Sequence, residues 1–369
     1  MSRLSHSQVN KFMDCPKSYE YHYINKYRTV AQSAALLFGT AIDQCFTRLV
    51  QPKEGDTAED VFNRTWRFQD VNKVNTYLPD CTDIVYAEGD FDKELLSVEA
   101  RSKICSQFDY SDEQLDKQIA EVYKEKEYLG FNHLPDDRKK FLNNINWWCL
   151  HTKGLLMIKA LRKHVLPKIT KVHDTQVFTK LENGVGDSII GYADIVCDFE
   201  GYDKPVVFDV KTATRDYDSA AVLTSPQLSL YVHSLSDKYS NTRLAGYIVL
   251  SKIIRKNKDK KCKSCGHVNE GTNHKTCNAA VGNDRCGGQW DVTMNPEAKV
   301  NILINEIPER TEDIVLENYE HVNTAIKRGE YHRNFNSCKK AYGLCTYWNL
   351  CYKGSEDGLV SMAKEPGNE

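Results

Sequence analysis

The sequence has no long apolar segment and no strong excess of charge of one sign. No stretch approaches the run of roughly 18 apolar residues that a membrane-spanning helix needs, which excludes a protein anchored by such a helix. The N-terminal residues MSRLSHSQVNKF contain no apolar core of a secretory signal, so we expect a cytoplasmic protein that binds no membrane. The formal net charge of −2 excludes a uniformly basic surface, so nucleic-acid binding would need a local basic patch.

Thirteen cysteines are many for a chain expected in the cytoplasm, where thiols stay reduced and disulfides are rare. Their number therefore indicates metal binding. Eight of them fall into two sets of four. The other five are scattered, and we interpret them as small buried hydrophobic residues or as cysteines without a specific role: Cys45, Cys81, Cys105, Cys149 and Cys197.

Hydrophobic periodicity gives the 369 residues a helical first part. Ser5 followed by Gln8 predicts a capped helix, and a second amphipathic helix covers 36–50. Residues 51–146 carry acidic and aromatic residues at helical spacing, which predicts a helical insertion. A strongly apolar helix is predicted at 145–166 because Pro167 ends the pattern.

From residue 166 onward the pattern changes to short β-rich runs separated by turn residues. These runs are KVHDTQVFTKLE, SIIGYADIVCDFE and PVVFDVKTA, and a helix at 226–239 and a strand at 244–253 follow. Strands, then a helix, then a strand indicate an α/β core with a mixed sheet. A long helix is predicted at about 297–329. The predicted units are N-terminal helices (1–50), a helical insertion (51–165), the α/β core (166–255), a cysteine-rich insertion (256–292), a C-terminal helix with a cysteine clamp (293–353) and a flexible tail (354–369).

The strand VVFDVKTA places Asp209 and Lys211 two residues apart, so both side chains point to the same face. A solvent-facing salt bridge on an edge strand would explain this pair alone. Asp194, near the end of the preceding strand, can converge with Asp209 if the two strands are neighbours. Two carboxylates and a nearby backbone carbonyl, which we assign to Val210, would form a hard oxygen site suited to Mg²⁺ or Mn²⁺.

Such ions can polarise a phosphodiester and generate hydroxide from water, while Lys211 would orient the attacking water and stabilise developing charge. Downstream, SPQLSLY places Gln227 and Tyr231 on one face of one helix, where both can hold a phosphate or a DNA end. Each residue also has an ordinary structural explanation, since Asp194 could cap a turn and Tyr231 could belong to the core.

The succession of Asp194, Asp209-x-Lys211 and Gln227-x-x-x-Tyr231 resembles the PD-(D/E)XK nucleases, and within them the RecB-like branch. The resemblance implies a restriction-endonuclease-like mixed β-sheet core flanked by helices. It also implies that Asp194 and Asp209 bind the metal and that Lys211 is the catalytic lysine. Gln227 and Tyr231 would form the helix motif beside the active site.

Two positions depart from the pattern of this family. The family often carries a histidine after an N-terminal glycine helix start, and GTAID puts Asp43 at that place. An aspartate can still bind a hard cation. Ala193 replaces the proline that gives the motif its name.

One set of four cysteines joins the two ends of the chain, and we call it the terminal cysteines: Cys15, Cys338, Cys345 and Cys351. The arrangement resembles the iron–sulfur members of the RecB-like branch, including AddB-type subunits and CRISPR-associated exonucleases. This resemblance implies a structural [4Fe–4S] cluster that clamps the termini across the core. Zinc bound by four thiolates is the alternative. The gap of six residues between Cys338 and Cys345 is longer than in many relatives.

The other set, the ribbon cysteines, follows the pattern Cys262-x2-Cys265-x11-Cys277-x8-Cys286. Two thiolates from one tight CxxCG loop and two more within about 25 residues predict a structural zinc ribbon. His267 and His274 are alternative ligands, although four cysteines already complete a tetrahedron.

The segment KIIRKNKDKKCK (252–263) carries seven basic residues against one acidic residue. A solvated loop would explain such a run. Next to a zinc module and a phosphodiesterase site, we interpret it as a track for the phosphate backbone. The residues predicted to contact DNA are Lys252, Arg255, Lys256, Lys258, Lys260 and Lys261.

The sequence therefore predicts a Mg²⁺- or Mn²⁺-dependent deoxyribonuclease, with exonuclease activity on single strands or DNA ends favoured over endonuclease activity. No Walker A motif GxxxxGK[ST] accompanies the site. This favours a nuclease of phage-like recombination or replication, acting in the host cytoplasm if phage-encoded, or of CRISPR-related processing, with a recombinase or helicase as partner. Two alternatives stay open: a non-catalytic DNA-binding or assembly subunit, and an RNA-processing nuclease, because a metal-ion phosphodiesterase site does not by itself read the 2′-hydroxyl.

Overall fold

The computed structural model describes residues 3–29, 32–66, 84–85, 95–129, 134–182, 187–270, 275–282, 284–340 and 343–362. Part of the predicted helical insertion lies outside these residues, as do Cys81 and His274. Among the helices within these ranges, none combines the length and the apolarity that a membrane span requires.

Seven strands form a mixed sheet at the centre of the fold, and short two-stranded sheets lie outside it. In chain order the strands are β1 (Arg3–Ser5), β2 (Tyr27–Thr29), β3 (Gln32–Ser33), β4 (Ile84–Val85), β5 (Ile169–Glu182), β6 (Ser188–Phe199), β7 (Val206–Ala213), β8 (Leu244–Cys262), β9 (Val268–Glu270), β10 (Ala280–Val281), β11 (Asp284–Arg285), β12 (Trp290–Glu306), β13 (Lys339–Lys340), β14 (Gly343–Leu344) and β15 (Leu359–Ser361). The central order is β1-β6-β7-β8-β12, with β5 paired to β6 and β9 paired to β8. The β1–β6 and β7–β8 pairs are parallel and the other pairs of this sheet are antiparallel, which confirms the predicted mixed sheet.

Helices cover both faces of this sheet. They are α1 (His6–Asp14), α2 (Pro16–Tyr19), α3 (Ala34–Val50), α4 (Ala58–Thr65), α5 (Val98–Phe108), α6 (Asp112–Leu129), α7 (Asp136–His164), α8 (Ser219–Leu223), α9 (Pro226–Leu235), α10 (Thr311–Lys327) and α11 (Trp348–Lys353). Phe208 packs into the hydrophobic layer that contains α3 and α7, whereas its neighbour Val207 packs into the layer that contains α1, α9 and α10. Because both faces of β7 are buried, its sequence is almost continuously apolar up to the charged pair.

The first helix begins where the sequence predicts it. The Ser5 hydroxyl accepts a hydrogen bond from the Gln8 backbone N–H at 3.2 Å, and the Gln8 side chain accepts one from the Ser5 backbone N–H at 2.7 Å. This reciprocal pair is a capping box. Cys15 then ends α1 and precedes Pro16, the first residue of α2, so this cysteine sits at a fixed helix junction.

Apart from the short strand β4, the described part of the insertion 51–165 is mainly helical and packs around an aromatic centre. The indole N–H of Trp66 donates to the Trp147 carbonyl at 3.3 Å, and the indole N–H of Trp147 donates to the Trp66 carbonyl at 3.1 Å. Both rings are therefore buried without leaving a donor unpaired. The predicted helix at 145–166 is part of the longer α7, which begins at Asp136.

The long helix predicted at 297–329 is wrong in its first half. Strand β12 continues to Glu306, and α10 begins only at Thr311. Val300, Ile302 and Ile304 lie on one face of β12 and pair with β8, so long-range pairing determines the structure of this segment. Pro296 is tolerated because β12 is the edge strand of the sheet.

The segment after Gly354, predicted as a fraying tail, is partly ordered. Strand β15 pairs with β2 in antiparallel register, from Leu359 opposite Thr29 to Ser361 opposite Tyr27. The hydrogen bonds of this pair hold the C-terminal segment against the N-terminal part of the chain, and 363–369 lie outside the described residues.

Replacing Gly154 by alanine should destabilise the protein, although alanine is favoured over glycine in a helix by about 1 kcal/mol. A Cβ atom at this position would lie 2.0 Å from Cζ of Phe62, and the fully buried Phe62 ring has no room to move aside. We expect a loss of about 1–3 kcal/mol in the free energy of unfolding, measured in urea.

Gly39→Ala is the matched control, since the nearest atom to its added Cβ is Thr212 Oγ1 at 3.8 Å. This variant should be as stable as the wild type or more so. Equal stability of the two variants would contradict the packing described for α7.

Candidate active site

Asp209 is the most deeply buried charged residue of the site, with only 3% of its surface exposed. Its Oδ2 atom lies 2.6 Å from the Lys211 ammonium, and its Oδ1 atom accepts a hydrogen bond from the Gln227 amide at 2.9 Å. The two residues that the strand pattern placed on one face therefore contact each other. The carboxylate is held from two sides, by its own strand and by α9.

Gln227 links the other polar groups of the site. Its amide oxygen accepts a hydrogen bond from Lys211 at 3.2 Å, and its amide nitrogen also lies 2.6 Å from the Tyr231 hydroxyl. The position of Gln227 is fixed because Ser225 caps α9 by accepting from the Leu228 N–H at 3.1 Å. The structure thus brings together the three predicted residues Lys211, Gln227 and Tyr231.

Asp194 lies on β6, the antiparallel neighbour of β7, as the strand order predicted. Its Oδ2 atom accepts a hydrogen bond from the backbone N–H of Val210 at 2.6 Å. This bond ties the carboxylate to the peptide between Asp209 and Lys211. The predicted role of the Val210 carbonyl as a metal ligand stays a prediction.

Asp43 is contributed to the site by helix α3. Both of its carboxylate oxygens accept hydrogen bonds from the Gln176 amide, at 3.2 and 3.3 Å. Asp43, Asp194 and Asp209 are near enough to repel one another electrostatically. In the described residues, however, their ligand atoms do not all approach within 4.8 Å of one another.

Buried negative charge dominates the electrostatics of the site. Burial, followed by repulsion from Asp209 and Asp43, raises the pKa of Asp194 well above its ordinary value. Burial and the charge of Asp209 also raise the pKa of Asp43. Burial raises the pKa of Asp209, and the Lys211 charge offsets this only in part. A divalent cation among these carboxylates would relieve the repulsion, so the donor set fits a hard cation.

Lys211 stays charged in this setting. Burial lowers its pKa, but the neighbouring Asp209 carboxylate outweighs that effect, so the pKa is raised overall. The Lys211 ammonium also lies 5.9 Å from the centre of the Tyr247 ring, within the range of a cation–π contact.

The ribbon cysteines converge as the spacing predicted. Cys262 Sγ lies 3.5 Å from Cys286 Sγ, and Cys265 Sγ lies 3.7 Å from Cys277 Sγ. A tetrahedral zinc with Zn–S bonds of about 2.3 Å holds its sulfurs about 3.8 Å apart. Within the described residues, the ribbon cysteines are the only group of three or more ligand atoms that all lie within 4.8 Å of one another.

The terminal cysteines also come together, although they belong to opposite ends of the chain. All four line one small cavity between α2 and the C-terminal segment. Their sulfurs are spread more widely than those of the ribbon cysteines. The guanidinium of Arg333 donates to Cys351 Sγ at 3.2 Å.

The predicted phosphate track on 252–263 is part of the paired strand β8, and its first residue differs from the prediction. Lys252 is buried, with 8% of its surface exposed, and its ammonium lies 5.3 Å from the centre of the Phe38 ring. A bulge between Ala298 and Val300 of β12 lies opposite this part of β8. Arg255 and Lys261 are exposed and stay candidates for phosphate contact, and the side chains of Lys256 and Lys258 lie outside the described ones.

Sequence reasoning missed Gln176, His6 and Tyr247. Burial and the charge of Lys211 lower the pKa of His6 to about 4, so this imidazole is neutral beside the lysine. Tyr247 accompanies Lys211 from the neighbouring strand β8. A polar residue within a β-rich run was the only available signal for Gln176, and its partner lies 133 residues away.

Comparison with known proteins agrees with this arrangement. A family profile described as the PD-(D/E)XK nuclease superfamily matches residues 3–352. No curated protein matches the chain significantly. Among solved structures, the chain is similar to a candidate exonuclease from Eubacterium rectale, with 9% identity, 91% of this chain and 92% of that chain covered, and a TM-score of 0.29. A TM-score this low does not establish a shared fold, so the family assignment depends on the profile match alone.

Replacing Asp194 by asparagine should stabilise the metal-free protein at pH 8. The pKa of Asp194 is raised above its ordinary value of 3.8. At pH values between 3.8 and this raised pKa, the folded state therefore binds more protons than the unfolded state. The free energy of unfolding therefore falls as pH rises through this window. Asparagine removes the charge but can still accept from the Val210 N–H, so we expect a gain of about 1–3 kcal/mol at pH 8 that shrinks towards pH 4, measured in urea.

Asp174→Asn is a control of opposite sign. Burial raises the pKa of Asp174, but bonding to Lys238 outweighs this effect and lowers it overall. That variant should lose stability at neutral pH, though modestly because 43% of the Asp174 side chain is exposed to solvent. An Asp194→Asn protein less stable than the wild type at pH 8 would contradict the electrostatics described here.

Proposed function

The chain belongs to the PD-(D/E)XK nuclease superfamily, and from this premise we propose that it is a Mg²⁺- or Mn²⁺-dependent deoxyribonuclease of the RecB-like iron–sulfur branch. The observation that carries the proposal is the contact of Lys211 and Gln227 with the buried Asp209 carboxylate beside Asp194. Carboxylates that can hold a divalent ion, with an ammonium group beside them, suit hydrolysis of a phosphodiester.

The residues that would hold the divalent ion are Asp194 and Asp209, with Asp43 as a further ligand. When bound, such an ion polarises a phosphate oxygen and lowers the pKa of a bound water. Burial raises the pKa of all three carboxyl groups, and repulsion between carboxylates adds to this effect at Asp43 and Asp194, so a cation gains more electrostatic energy here than at a solvent-exposed acidic cluster.

The protein's own groups orient the substrate and the attacking water. One third of the Lys211 side chain is exposed, so its ammonium can contact a phosphate oxygen without leaving Asp209. Gln227 keeps Lys211 aligned through the bond to its amide oxygen. Burial raises the pKa of Tyr231, so its hydroxyl stays neutral and can serve as a hydrogen-bond donor to phosphate.

Two exposed aromatic rings beside the site favour a single-stranded or frayed substrate. Phe178 and Tyr192 face each other across β5 and β6 with ring centroids 5.4 Å apart, and 46% and 55% of their surfaces are exposed. Tyr192 is two residues from Asp194. Stacking of an unpaired base on an aromatic ring contributes about 1–3 kcal/mol, and only a strand with free bases can use it. These rings support exonuclease action on single strands or DNA ends.

The two cysteine sets favour different metals. The sulfur separations of the ribbon cysteines match one tetrahedral zinc ion, which would serve a structural role in the insertion. The sulfurs of the terminal cysteines lie farther apart than those of the ribbon cysteines, which suits a [4Fe–4S] cluster because each thiolate then binds a separate iron. Such a cluster would fasten α2 to the C-terminal segment.

The biological setting belongs to the same proposal. A nuclease of this kind suits phage-like recombination or replication, or CRISPR-related DNA processing, with a recombinase or helicase as partner and the cytoplasm as location. The exposed basic residues Arg255 and Lys261 near the ribbon would add phosphate contacts outside the active site.

Replacing Lys211 by alanine should lower cleavage by about 10²–10⁴-fold, because the transition-state charge loses its nearest ammonium group. The measurement uses anaerobically purified protein, Mg²⁺ or Mn²⁺, and end-labelled single- and double-stranded DNA together with a matched RNA. Lys238→Ala is the control, since its exposed ammonium pairs with Asp174 away from the site. The product ladder of the wild type gives the polarity of digestion.

Three outcomes of this assay would redirect the proposal. Intact, metal-loaded wild type that binds DNA without cutting it would indicate a non-catalytic DNA-binding or assembly subunit. Faster cleavage of RNA than of DNA would indicate an RNA-processing nuclease. Equal activity of Lys211→Ala and wild type would remove Lys211 from the reaction.

Cysteine variants should separate the two metal sites. Cys345→Ala should lose iron, brown colour and stability while keeping zinc, and Cys277→Ala should lose zinc while keeping iron. Metal analysis and the visible absorption spectrum measure both. Cys105→Ala should keep both metals, because this half-buried cysteine belongs to neither set. Zinc at the terminal cysteines, with no iron, would overturn the iron–sulfur assignment.

A further inference from the structure

Gln176 adopts a backbone conformation that is unusual for its place in the fold. Its φ angle is 50°, in the left-handed region, although it lies in the interior of β5. The other described non-glycine residues with positive φ all lie outside the strands: Lys26, Asp109, Ser240 and Asn241. Only Gln176 among them interrupts the regular geometry of a strand.

The needs of the fold alone do not explain this conformation. The residues on either side keep their register, with Thr175 opposite Ile195 and Val177 opposite Ala193. Gln176 is itself exposed, so no hydrophobic contact of its side chain requires the strain. Left-handed backbone is unfavourable for residues with a Cβ atom, and glycine would adopt it without that cost.

The side chain of Gln176 makes a contact that the positive φ permits. A positive φ rotates the Cα–Cβ bond away from its direction in a regular strand, as β-bulges do when they re-aim a side chain. The amide nitrogen then donates to both Asp43 oxygens, at 3.2 and 3.3 Å. Gln176 also lies between the pairs Thr175–Ile195 and Val177–Ala193, and in β6 Asp194 lies between the same two pairs.

We propose that Gln176 is a positioning residue that orients the Asp43 carboxylate towards a divalent cation, and that its strained backbone is kept for this purpose. This inference rests on the proposed function, because it takes Asp43 as part of the cation site. Strained residues of this kind concentrate at functional sites, where a fixed geometry is needed. An amide suits this role because it is neutral: it donates hydrogen bonds to the carboxylate without adding a positive charge that would repel the cation.

The test compares stability with cation binding in the same variants. Gln176→Gly removes both the strain and the amide, so its urea midpoint should be no lower than that of the wild type. Its half-saturating Mn²⁺ concentration, measured by electron paramagnetic resonance without DNA, should rise about tenfold or more. Gln176→Ala keeps the strain, and it should show the same loss of Mn²⁺ binding.

Ser240→Gly is the matched control. Ser240 is exposed and has a φ of 57°, but it lies in a turn away from the carboxylates. This variant should match Gln176→Gly in stability and the wild type in Mn²⁺ binding and DNA cleavage.

The outcomes distinguish this inference from the proposed function. Wild type that binds no Mn²⁺ would overturn both. Wild type and Gln176→Gly that bind Mn²⁺ equally well would overturn only the role of Gln176. A Gln176→Gly protein that loses stability in step with Mn²⁺ binding would show a structural role and would likewise overturn the inference.

Discussion

The carboxylate of Asp209, buried at the centre of the sheet, is the constraint on which the rest of the site depends. An ionised group in this position is costly unless it is paired and hydrogen-bonded. Its own strand supplies Lys211, α9 supplies the Gln227 amide, and β8 supplies the Tyr247 ring beside the lysine. The capped start of α9 and the parallel pairing of β7 with β8 therefore both position groups around the Asp209 carboxylate. These polar partners allow a charged lysine to lie next to a buried carboxylate. Apolar side chains of equal volume would leave both charges without partners.

Much of this arrangement could be predicted from the sequence, because it follows from local periodicity. A side-chain period of two places Asp209 and Lys211 together, and helical spacing places Gln227 and Tyr231 on one face. The ribbon cysteines were predictable for the same reason, since their spacing lies within one short insertion. Local patterns translate directly into neighbouring atoms, and the structure brings these residues into contact.

The missed features depend on contacts between distant segments. Nothing in the residues around Gln176 indicates a positive φ or a partner on α3. Residues 297–299 (Glu, Ala, Lys) favour a helix, yet pairing with β8 makes them part of a strand. Lys252 belongs to a basic run, but the tertiary packing around Phe38 buries it. In each case the tertiary structure overrides a local preference of the sequence.

The strand β8 extends from the candidate active site to the ribbon cysteines. Its first half pairs with β7 at Asp209 and Lys211, and its far end carries Cys262. The distance along the strand from Val249 to Cys262 is roughly 40 Å at about 3.3 Å per residue. A force applied to the segment of the ribbon cysteines would therefore be transmitted along β8 to its pairing with β7, the strand that carries Asp209 and Lys211. The bulge at Ala298–Val300 of β12 lies opposite the middle of β8, and the paired strands would bend at this point.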